Sequence, residues 1–157
     1  IDEEVDHGPI LAQAKYQIPP DAYCLQVTHE LFELGTELLI QTIPDWMEGK
    51  VNLHPQDHSQ ATFTKKFSWK DGKVDWNQSA EKIYNQIRAL NPEPGTWTTY
   101  NGKILKILKA SLFPQGRTLD IQKGSTLNLE EVQPEGKKPM PFEAFLRGIG
   151  KKEISFE

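Results

Sequence analysis

Residues 79–112 read SAEKIYNQIRALNPEPGTWTTYNGKILKILKASL, and the fold follows from this stretch more than from any other. Apolar residues recur every three or four positions over 80–90, which predicts a helix capped by Ser79. The turn-forming run from Asn91 to Gly95 ends that helix. Strand-like residues then lie on both sides of Asn101-Gly102, a pair typical of tight β-hairpins. The stretch therefore predicts a helix followed by an antiparallel strand pair.

Short strand-like runs continue on both sides of this stretch. Downstream they cover 118–122 and 126–133, and Pro141 then opens a last short helix. Upstream they cover 62–64 and 74–76. Short strands separated by frequent turns, with one embedded helix, predict a small open β-barrel of the OB type.

The beginning of the chain has a different pattern. A turn at 6–9 precedes alternating apolar and polar residues, which predict a strand within 5–18. Helical periodicity then extends over 22–46, with Asp21 in the position of an N-cap. Pro44 is expected to kink or end this long helix. The fold class predicted for the whole chain is therefore mixed α/β.

The polar segment 49–60 predicts a linker between two domains, 1–48 and 61–157. The charge also changes sign there. Residues 1–60 hold two basic and eleven acidic residues, a balance of −9, and the rest of the chain holds sixteen and eleven, a balance of +5. The positive balance indicates a surface that faces a polyanion, but ordinary solvated charge explains it equally well.

Several classes of protein do not fit the sequence. The longest purely apolar run is three residues, 38–40, which is too short to span a bilayer. The acidic start, 1–4, differs from a secretory signal, and the absence of an initiator Met suggests a piece of a longer protein. A single cysteine, Cys24, fits a reducing compartment and is expected to be a buried structural thiol. His54 and His58 lie in the linker without an established metal-binding motif, so no metal site is expected.

Three segments carry recognisable motifs. The first is the turn DHGPIL at 6–11. The second begins with Gln56 and ATF at 61–63 and continues through DGKVDW at 71–76 and SA at 79–80 to IRALNPEPG at 87–95. The third contains LNL at 127–129 and VQPEGKKPM at 132–140. In this order and separation they resemble methionyl-tRNA formyltransferases over nearly the whole chain. The resemblance implies a remnant of an α/β, Rossmann-like formyltransferase domain with a long helix, followed by an OB-like open β-barrel from about Ala61.

The resemblance also implies an activity. The family transfers a formyl group from 10-formyltetrahydrofolate to the amino group of methionyl initiator tRNA, using an Asn, a His and an Asp. Asp6 matches the Asp, whose implied role is to orient and charge-stabilise the His. The alternative is that Asp6 only starts a turn. The Asn and His are expected upstream of Ile1, so we expect the 157 residues alone to be inactive.

By the same resemblance, five basic residues are candidate tRNA contacts: Arg88, Lys106, Lys109, Lys137 and Lys138. The rival role for Arg88 is to anchor the turn at 91–95. Strict alternation would place Lys109 beside residues 103 and 107 on one face and Lys106 on the other, so it predicts no single basic stripe. Three tryptophans are candidates for base stacking, and core packing is the favoured role for the last two: Trp69, Trp76 and Trp97.

Two other functions stay open at this point. Sugar formyltransferases resemble the first segment, and some carry a related barrel, so the acceptor of the formyl group is either tRNA or a nucleotide-linked amino sugar. Alternatively, the barrel is a non-catalytic interaction module, which stays open because the net charge of −4 is acidic for a protein that binds tRNA. The expected location is the cytoplasm, or an organellar matrix in a eukaryote, and the expected state is a monomer without a membrane partner.

Overall fold

A computed structural model of the chain describes residues 5–112, 118–121, 125–150 and 156. The chain divides into two compact units. The first comprises Ile1–Pro20 and Gln26–Lys66, and the second comprises Asp21–Leu25 and Phe67–Glu157. Helix α1, Cys24–Met47, begins in the second unit and continues through the first.

The first unit contains most of α1 and little other regular structure. The helix confirms the long periodic segment, and it passes through Pro44 to Met47. Asp21 lies before the helix begins rather than at its N-cap. Of the strand predicted within 5–18, the described residues show only one bridge, in which Ile10 and His54 exchange backbone hydrogen bonds of 2.9 and 3.0 Å. An extended segment becomes a strand only where a partner pairs along its length, and here the pairing stops after one residue.

The second unit contains a five-stranded antiparallel sheet and two helices. Its elements are α2 Ala80–Leu90, β1 Thr96–Tyr100, β2 Lys103–Ser111, β3 Thr118–Ile121, β4 Ser125–Pro134, β5 Met140–Pro141 and α3 Phe142–Gly148. The strand order is β1-β2-β4-β3, and β5 pairs with β4. These elements confirm the predicted order of an embedded helix followed by a strand-rich module.

The core of the second unit lies between α2, α3 and the inner face of the sheet. Helix α2 buries its apolar side, including Ile83 and Ile87, against β2 and β4. Ser79 caps the helix as predicted, with its hydroxyl accepting from the Lys82 backbone N–H. Burial of this continuous apolar surface is the main driving force for the fold of the unit.

The hairpin between β1 and β2 forms where the sequence predicts it. Asn101 has φ 49° and Gly102 has φ 71°, the left-handed conformations that a two-residue hairpin turn requires. Pairing runs from Tyr100 with Lys103 to Thr96 with Ile107. The hairpin places the side chains of both strands in a fixed register, and that register positions the site described below.

Three local predictions are wrong. Residues 62–64 are exposed and form no strand, and neither do 74–76, although the Val74 N–H donates a backbone hydrogen bond of 2.8 Å to the Trp97 carbonyl. Both runs are short, and a two- or three-residue pattern carries too little periodicity to separate strand from loop. Cys24 is exposed rather than buried, because it opens α1 at a position that the core does not cover.

Within the described ranges, no helix is long and apolar enough to cross a membrane. The same residues contain no cluster of three or more His, Cys, Asp or Glu side chains suited to a metal ion.

Candidate nucleic-acid interface

A row of polar and aromatic residues crosses the outward face of the sheet. In the register of the strands, Trp97 on β1 lies opposite Lys106 on β2, and Lys106 lies opposite Gln133 on β4. Lys106 is exposed, and Trp97 and Gln133 are half-buried. Their neighbours along the strands point into the core, as alternation requires. We call Trp97, Lys106 and Gln133 the outer row.

A second tryptophan lies on the outer row. The Trp69 ring stacks on the Trp97 ring with 5.2 Å between centroids and 4° between planes. The Trp97 Nε1–H donates a hydrogen bond of 2.9 Å to the Trp69 carbonyl, which fixes the Trp97 ring. Core packing as the favoured role of Trp97 is therefore wrong. It holds for Trp76, which packs against the core and donates from Nε1 to the Thr98 hydroxyl at 2.8 Å.

Two lysine ammonium groups flank the stacked rings. Lys106 Nζ lies 5.5 Å from the centroid of Trp69, and Lys73 Nζ lies 5.7 Å from the centroid of Trp97. Both separations are within the range of cation–π attraction. The two tryptophans and two lysines form one exposed cluster, which we call the tryptophan platform.

The backbone beneath the platform is tightly packed. Trp69 begins a short 3-10 helix, Trp69–Gly72, at whose start the Asp71 carboxylate accepts hydrogen bonds from the Ser68 N–H and hydroxyl, at 2.8 and 2.9 Å. A Cβ at Gly72 would lie 1.9 Å from the Gly95 carbonyl oxygen and 3.4 Å from the Trp97 ring. Only glycine allows this approach, and Gly95 itself has φ +85°. The approach of the two glycines brings residues 69–72 against β1.

Lys109 also lies on the outward face, because the pairing of β2 with β4 is irregular. The register passes from Ile107 with Val132 to Lys109 with Glu131, and then to Ala110 with Leu129. Leu108 and Glu130 are therefore left out of the pairing, and the buried positions change from Ile107 to Ala110. Lys106 and Lys109 are consequently both exposed, so the separation of these two lysines predicted from strict alternation is wrong.

The charge of Lys109 is partly compensated. Its ammonium group lies 3.7 Å from the carboxylate of Glu131, its partner in the sheet register. Both side chains are substantially exposed, so this ion pair adds little to stability. It nevertheless places a negative charge beside Lys109, which reduces the attraction of this lysine for an anion.

The loop 135–139 holds Lys137 and Lys138 next to the outer row. Gln133 Nε2 donates 2.8 Å to the Lys137 carbonyl, and the Lys137 N–H donates 3.0 Å to the Pro134 carbonyl. Both lysine side chains are exposed. The structure therefore connects Lys106 with the loop that carries both lysines, through Gln133, which lies opposite Lys106 and is hydrogen-bonded to the loop.

Arg88 lies elsewhere. It belongs to α2, which covers the opposite, buried side of the sheet. Its guanidinium donates 3.0 Å to the Ala22 carbonyl and 2.9 Å to Asn85 Oδ1, and it lies 5.8 Å from the centroid of the Tyr84 ring. These contacts tie residues 21–25 to α2, and contact of Arg88 with tRNA stays a prediction.

The turn at 91–95 is anchored by Asn91. Its buried Nδ2 donates to the carbonyls of Ile87 and Ile107, at 2.8 and 3.0 Å, and to the Thr96 hydroxyl at 2.9 Å. A buried amide with three acceptors holds the end of α2 against β1 and β2. The sequence motif contains this residue, but no pattern indicates that its side chain points inward.

Tyr23 fastens residues 21–25 to the sheet. Its hydroxyl donates to the Ala110 carbonyl and accepts from the Ala110 N–H, both at 3.1 Å. Ala110 follows the irregular pairing of β2, so these bonds satisfy a backbone position next to the disrupted ladder. Burial raises the pKa of the Tyr23 hydroxyl, although its hydrogen bond with Ala110 opposes the shift. No sequence signal pairs residues 87 positions apart.

Asp6 lies in the first unit, in a turn with φ 59°. Gln56 Nε2 donates 2.9 Å to the Asp6 carbonyl and 2.7 Å to the Gly8 carbonyl, which fixes the turn against the linker. His7 stacks on His58 with 3.5 Å between ring centroids. These residues line a cavity of about 790 Å³. The Asp6 side chain is exposed, and its catalytic role stays a prediction.

The chain is similar in sequence to a known protein family and to named enzymes. The family model described as "Formyl transferase, C-terminal domain" matches residues 66–150. Methionyl-tRNA formyltransferase from Roseiflexus castenholzii is 41% identical over 95% of this chain and 52% of its own length. The enzyme of the same name from Chloroflexus aggregans is 39% identical over 99% of this chain and 55% of its own length. The chain thus spans about half the length of these relatives, and the resemblance seen in its motifs is confirmed.

Solved structures confirm the fold. HypX from Aquifex aeolicus in complex with tetrahydrofolic acid superposes with a TM-score of 0.71, covering 99% of this chain and 32% of that protein. A HypX variant with six substitutions gives a TM-score of 0.72. Sequence identity is 16% and 17%, so these likenesses concern the fold alone.

Proposed function

Because the chain belongs to the formyl transferase C-terminal domain family, we propose that it is the C-terminal part of an enzyme that formylates methionyl initiator tRNA. The relatives of that name match nearly every residue of the chain at about 40% identity. The proposed formyl donor is 10-formyltetrahydrofolate, which agrees with tetrahydrofolic acid as the ligand of HypX. The proposed setting is a cytoplasmic or organellar monomer active in translation initiation.

The proposed role of the strand-rich module is to bind the tRNA backbone. The observation that carries it is the grouping of exposed Lys106, Lys137 and Lys138 around the outer row. Lysine ammonium groups bind phosphates as point charges and need no fixed donor geometry. A spread of lysines without a base-reading motif is typical of binding through phosphates. Lys109, paired with Glu131, is expected to contribute less.

Asp6 is the proposed link to the chemistry. During transfer, the attacking amine forms a tetrahedral oxyanion on the formyl carbon, and a proton must leave the nitrogen. By the resemblance, Asp6 would orient and charge-stabilise the histidine of the active site. Its exposed side chain, at the edge of a cavity lined also by His7 and His58, leaves room for such a partner.

Salt dependence of tRNA binding tests the binding role. We expect affinity to fall steeply with salt, and Lys106→Ala, Lys137→Ala and Lys138→Ala each to flatten the slope of log K against log salt by about one. Lys109→Ala should flatten it less. Lys50→Ala is the matched control, because Lys50 pairs with Glu48 in the other unit. Fluorescence anisotropy with labelled tRNA measures this, and affinity that ignores salt would contradict phosphate binding and favour the interaction module.

An assay of the 157 residues alone tests the division of labour. Incubated with 10-formyltetrahydrofolate and methionyl initiator tRNA, they are expected to form no product, because only Asp6 of the three family catalytic residues is among them. Product that disappears in Asp6→Asn would show that the other two are not needed. A nucleotide-linked amino sugar as acceptor, in a protein that also contains the Asn and His, tests the alternative substrate.

The proposed domains are 1–48 and 61–157, joined by the linker 49–60. Limited proteolysis should cut first within the linker. Ala22 and Tyr23 belong to the second compact unit and are hydrogen-bonded to Arg88 and Ala110. We therefore expect a fragment that begins at Ala61 to be less stable than one that retains residues 21–25. First cuts within 67–112 would contradict the division.

A further inference from the structure

We propose that the tryptophan platform of Trp69, Trp97, Lys73 and Lys106 binds an unpaired nucleotide of the RNA partner. This inference rests on the proposed function, since it concerns the same face of the sheet. It adds a second kind of contact to the phosphate contacts, because it makes the module distinguish an unpaired nucleotide from a base-paired one.

The platform is built for contact rather than for the core. Trp69 is 37% exposed, and neither tryptophan of the pair belongs to the hydrophobic core of the unit. Large apolar rings that stay partly exposed on a rigid support are typical of interaction sites. Here the support is rigid for two reasons. The indole Nε1–H of Trp97 donates a hydrogen bond to the Trp69 backbone carbonyl, and Gly72 is in close contact with Gly95. The rings are therefore held in place before a ligand arrives.

The charges around the rings favour a nucleotide over an apolar protein segment. A nucleotide combines a flat π-surface with a phosphate a few ångströms away, and the platform combines two flat rings with an ammonium group beside each. Proteins that bind single strands use this combination of aromatic stacking and basic groups. A base inside a duplex has both faces covered by its neighbours, so interior base pairs cannot stack here, whereas an unpaired nucleotide can.

Lys106 belongs to both the platform and the outer row. It lies between Trp97 and Gln133 in the sheet register, and Gln133 is bonded to the loop that carries Lys137. An RNA strand with one base stacked on Trp69 would thus continue over Lys106 toward Lys137 and Lys138. The platform would therefore lie where the row of lysine–phosphate contacts ends and where the RNA is no longer base-paired.

Substitution of Trp69 separates stacking from charge. Trp69→Leu removes the aromatic face, and Trp69→Phe retains one. Loss of one base–aromatic stack is expected to weaken binding about 5- to 150-fold. For an eight-nucleotide single-stranded RNA, Trp69→Leu should show that loss and Trp69→Phe should recover most of it. For a blunt RNA duplex, both variants should bind like the unaltered chain.

Anisotropy titrations with the labelled single strand, the duplex and tRNA provide the measurement, with circular dichroism to verify the fold of each variant. Quenching of tryptophan fluorescence in the unaltered chain is an independent readout. The single strand should quench it, the duplex should not, and the quenching should shrink in Trp69→Leu.

The outcomes separate the two proposals. If single strand and duplex bind equally and Trp69→Leu changes neither, the platform is not a nucleotide site, while the salt-dependent binding of tRNA still stands. If Trp69→Leu weakens all three RNAs alike, the platform acts through charge or structure and the inference is overturned. If no RNA binds at any salt concentration, both proposals fail.

Discussion

Helices α1 and α2 have similar sequence patterns and different environments. Both show apolar residues at helical spacing, and both form where that spacing predicts. Helix α2 buries five of its 11 residues, whereas α1 buries none of its 24. Ile87 in α2 is fully buried, and Ile40 in α1 is 65% exposed. Periodicity therefore predicts the helix in both cases, but it does not tell whether the described chain supplies the surface that covers it.

The largest expected difference between the two helices comes from truncating a matched pair of isoleucines. Ile87→Ala should lower the free energy of unfolding of the second unit by about 2–5 kcal/mol, because it removes buried methyl groups and leaves a cavity. Ile40→Ala should change stability by about 0.5 kcal/mol or less. Urea denaturation followed by circular dichroism measures both. Equal losses would mean that Ile40 is covered in solution.

A pair of glycines gives the next largest effect, with opposite signs. Gly72→Ala should destabilise the second unit by about 1–3 kcal/mol, since the new Cβ would collide with the Gly95 carbonyl. Gly35→Ala in α1 should stabilise the helix by about 1 kcal/mol, because nothing lies within 4 Å and alanine favours helix. Thermal denaturation of both variants is the test. A Gly72→Ala protein with an unchanged melting temperature would contradict the close packing.

Two tyrosines give a smaller contrast. Tyr23→Phe should cost about 1 kcal/mol, because the hydroxyl satisfies both backbone groups of Ala110. Tyr16, whose hydroxyl bonds with Glu30 in the first unit, is the matched control. Tyr16→Phe should leave the unfolding of the second unit unchanged. If Tyr23→Phe also leaves the unfolding of the second unit unchanged, the Tyr23 hydroxyl does not hold residues 21–25 to the sheet in solution.

The smallest effect is a dependence on alkaline pH. Burial raises the pKa of Tyr23 above its ordinary value near 10, so the folded state resists ionisation of this group more than the unfolded state does. The contribution of Tyr23 to the free energy of unfolding is therefore complete below about pH 10, and it is lost as the pH rises through the pKa of Tyr23 in the folded state. Burial also raises the pKa of Tyr84. Tyr23→Phe should therefore reduce the loss of unfolding free energy as the pH rises above about 10, without abolishing it. If the free energy of unfolding depends on pH in the same way in Tyr23→Phe and in the unaltered chain, burial of Tyr23 is contradicted.

Local signals predicted the fold well where they were strong. The Ser79 cap and the Asn101-Gly102 turn specify backbone geometry within a few residues, so α2 and the hairpin form as predicted. The strands at 62–64 and 74–76 were wrong, because strand formation depends on partners that a short pattern cannot identify.

The site was less predictable than the fold. Lys106 and Lys137 are candidates through the family resemblance, and their grouping depends on the sheet register. The stack of Trp69 on Trp97 joins residues 28 positions apart and depends on the approach of Gly72 to Gly95. Strict alternation failed for Lys109, because nothing in the sequence marks the irregular pairing. Contacts of this kind arise from tertiary packing, which periodicity does not encode.

The irregular pairing of β2 with β4 has a consequence for how the length of these strands can change. Leu108 and Glu130 are the two residues that the register passes over, one in each strand. Deleting both would leave Ile107 with Val132, Lys109 with Glu131 and Ala110 with Leu129, and each strand would then alternate strictly. Deleting only one would keep the same pairs and leave the other residue as a single bulge in its strand. Each strand should therefore tolerate the loss of this one residue without a change of register, and the loss of both should give a regular ladder.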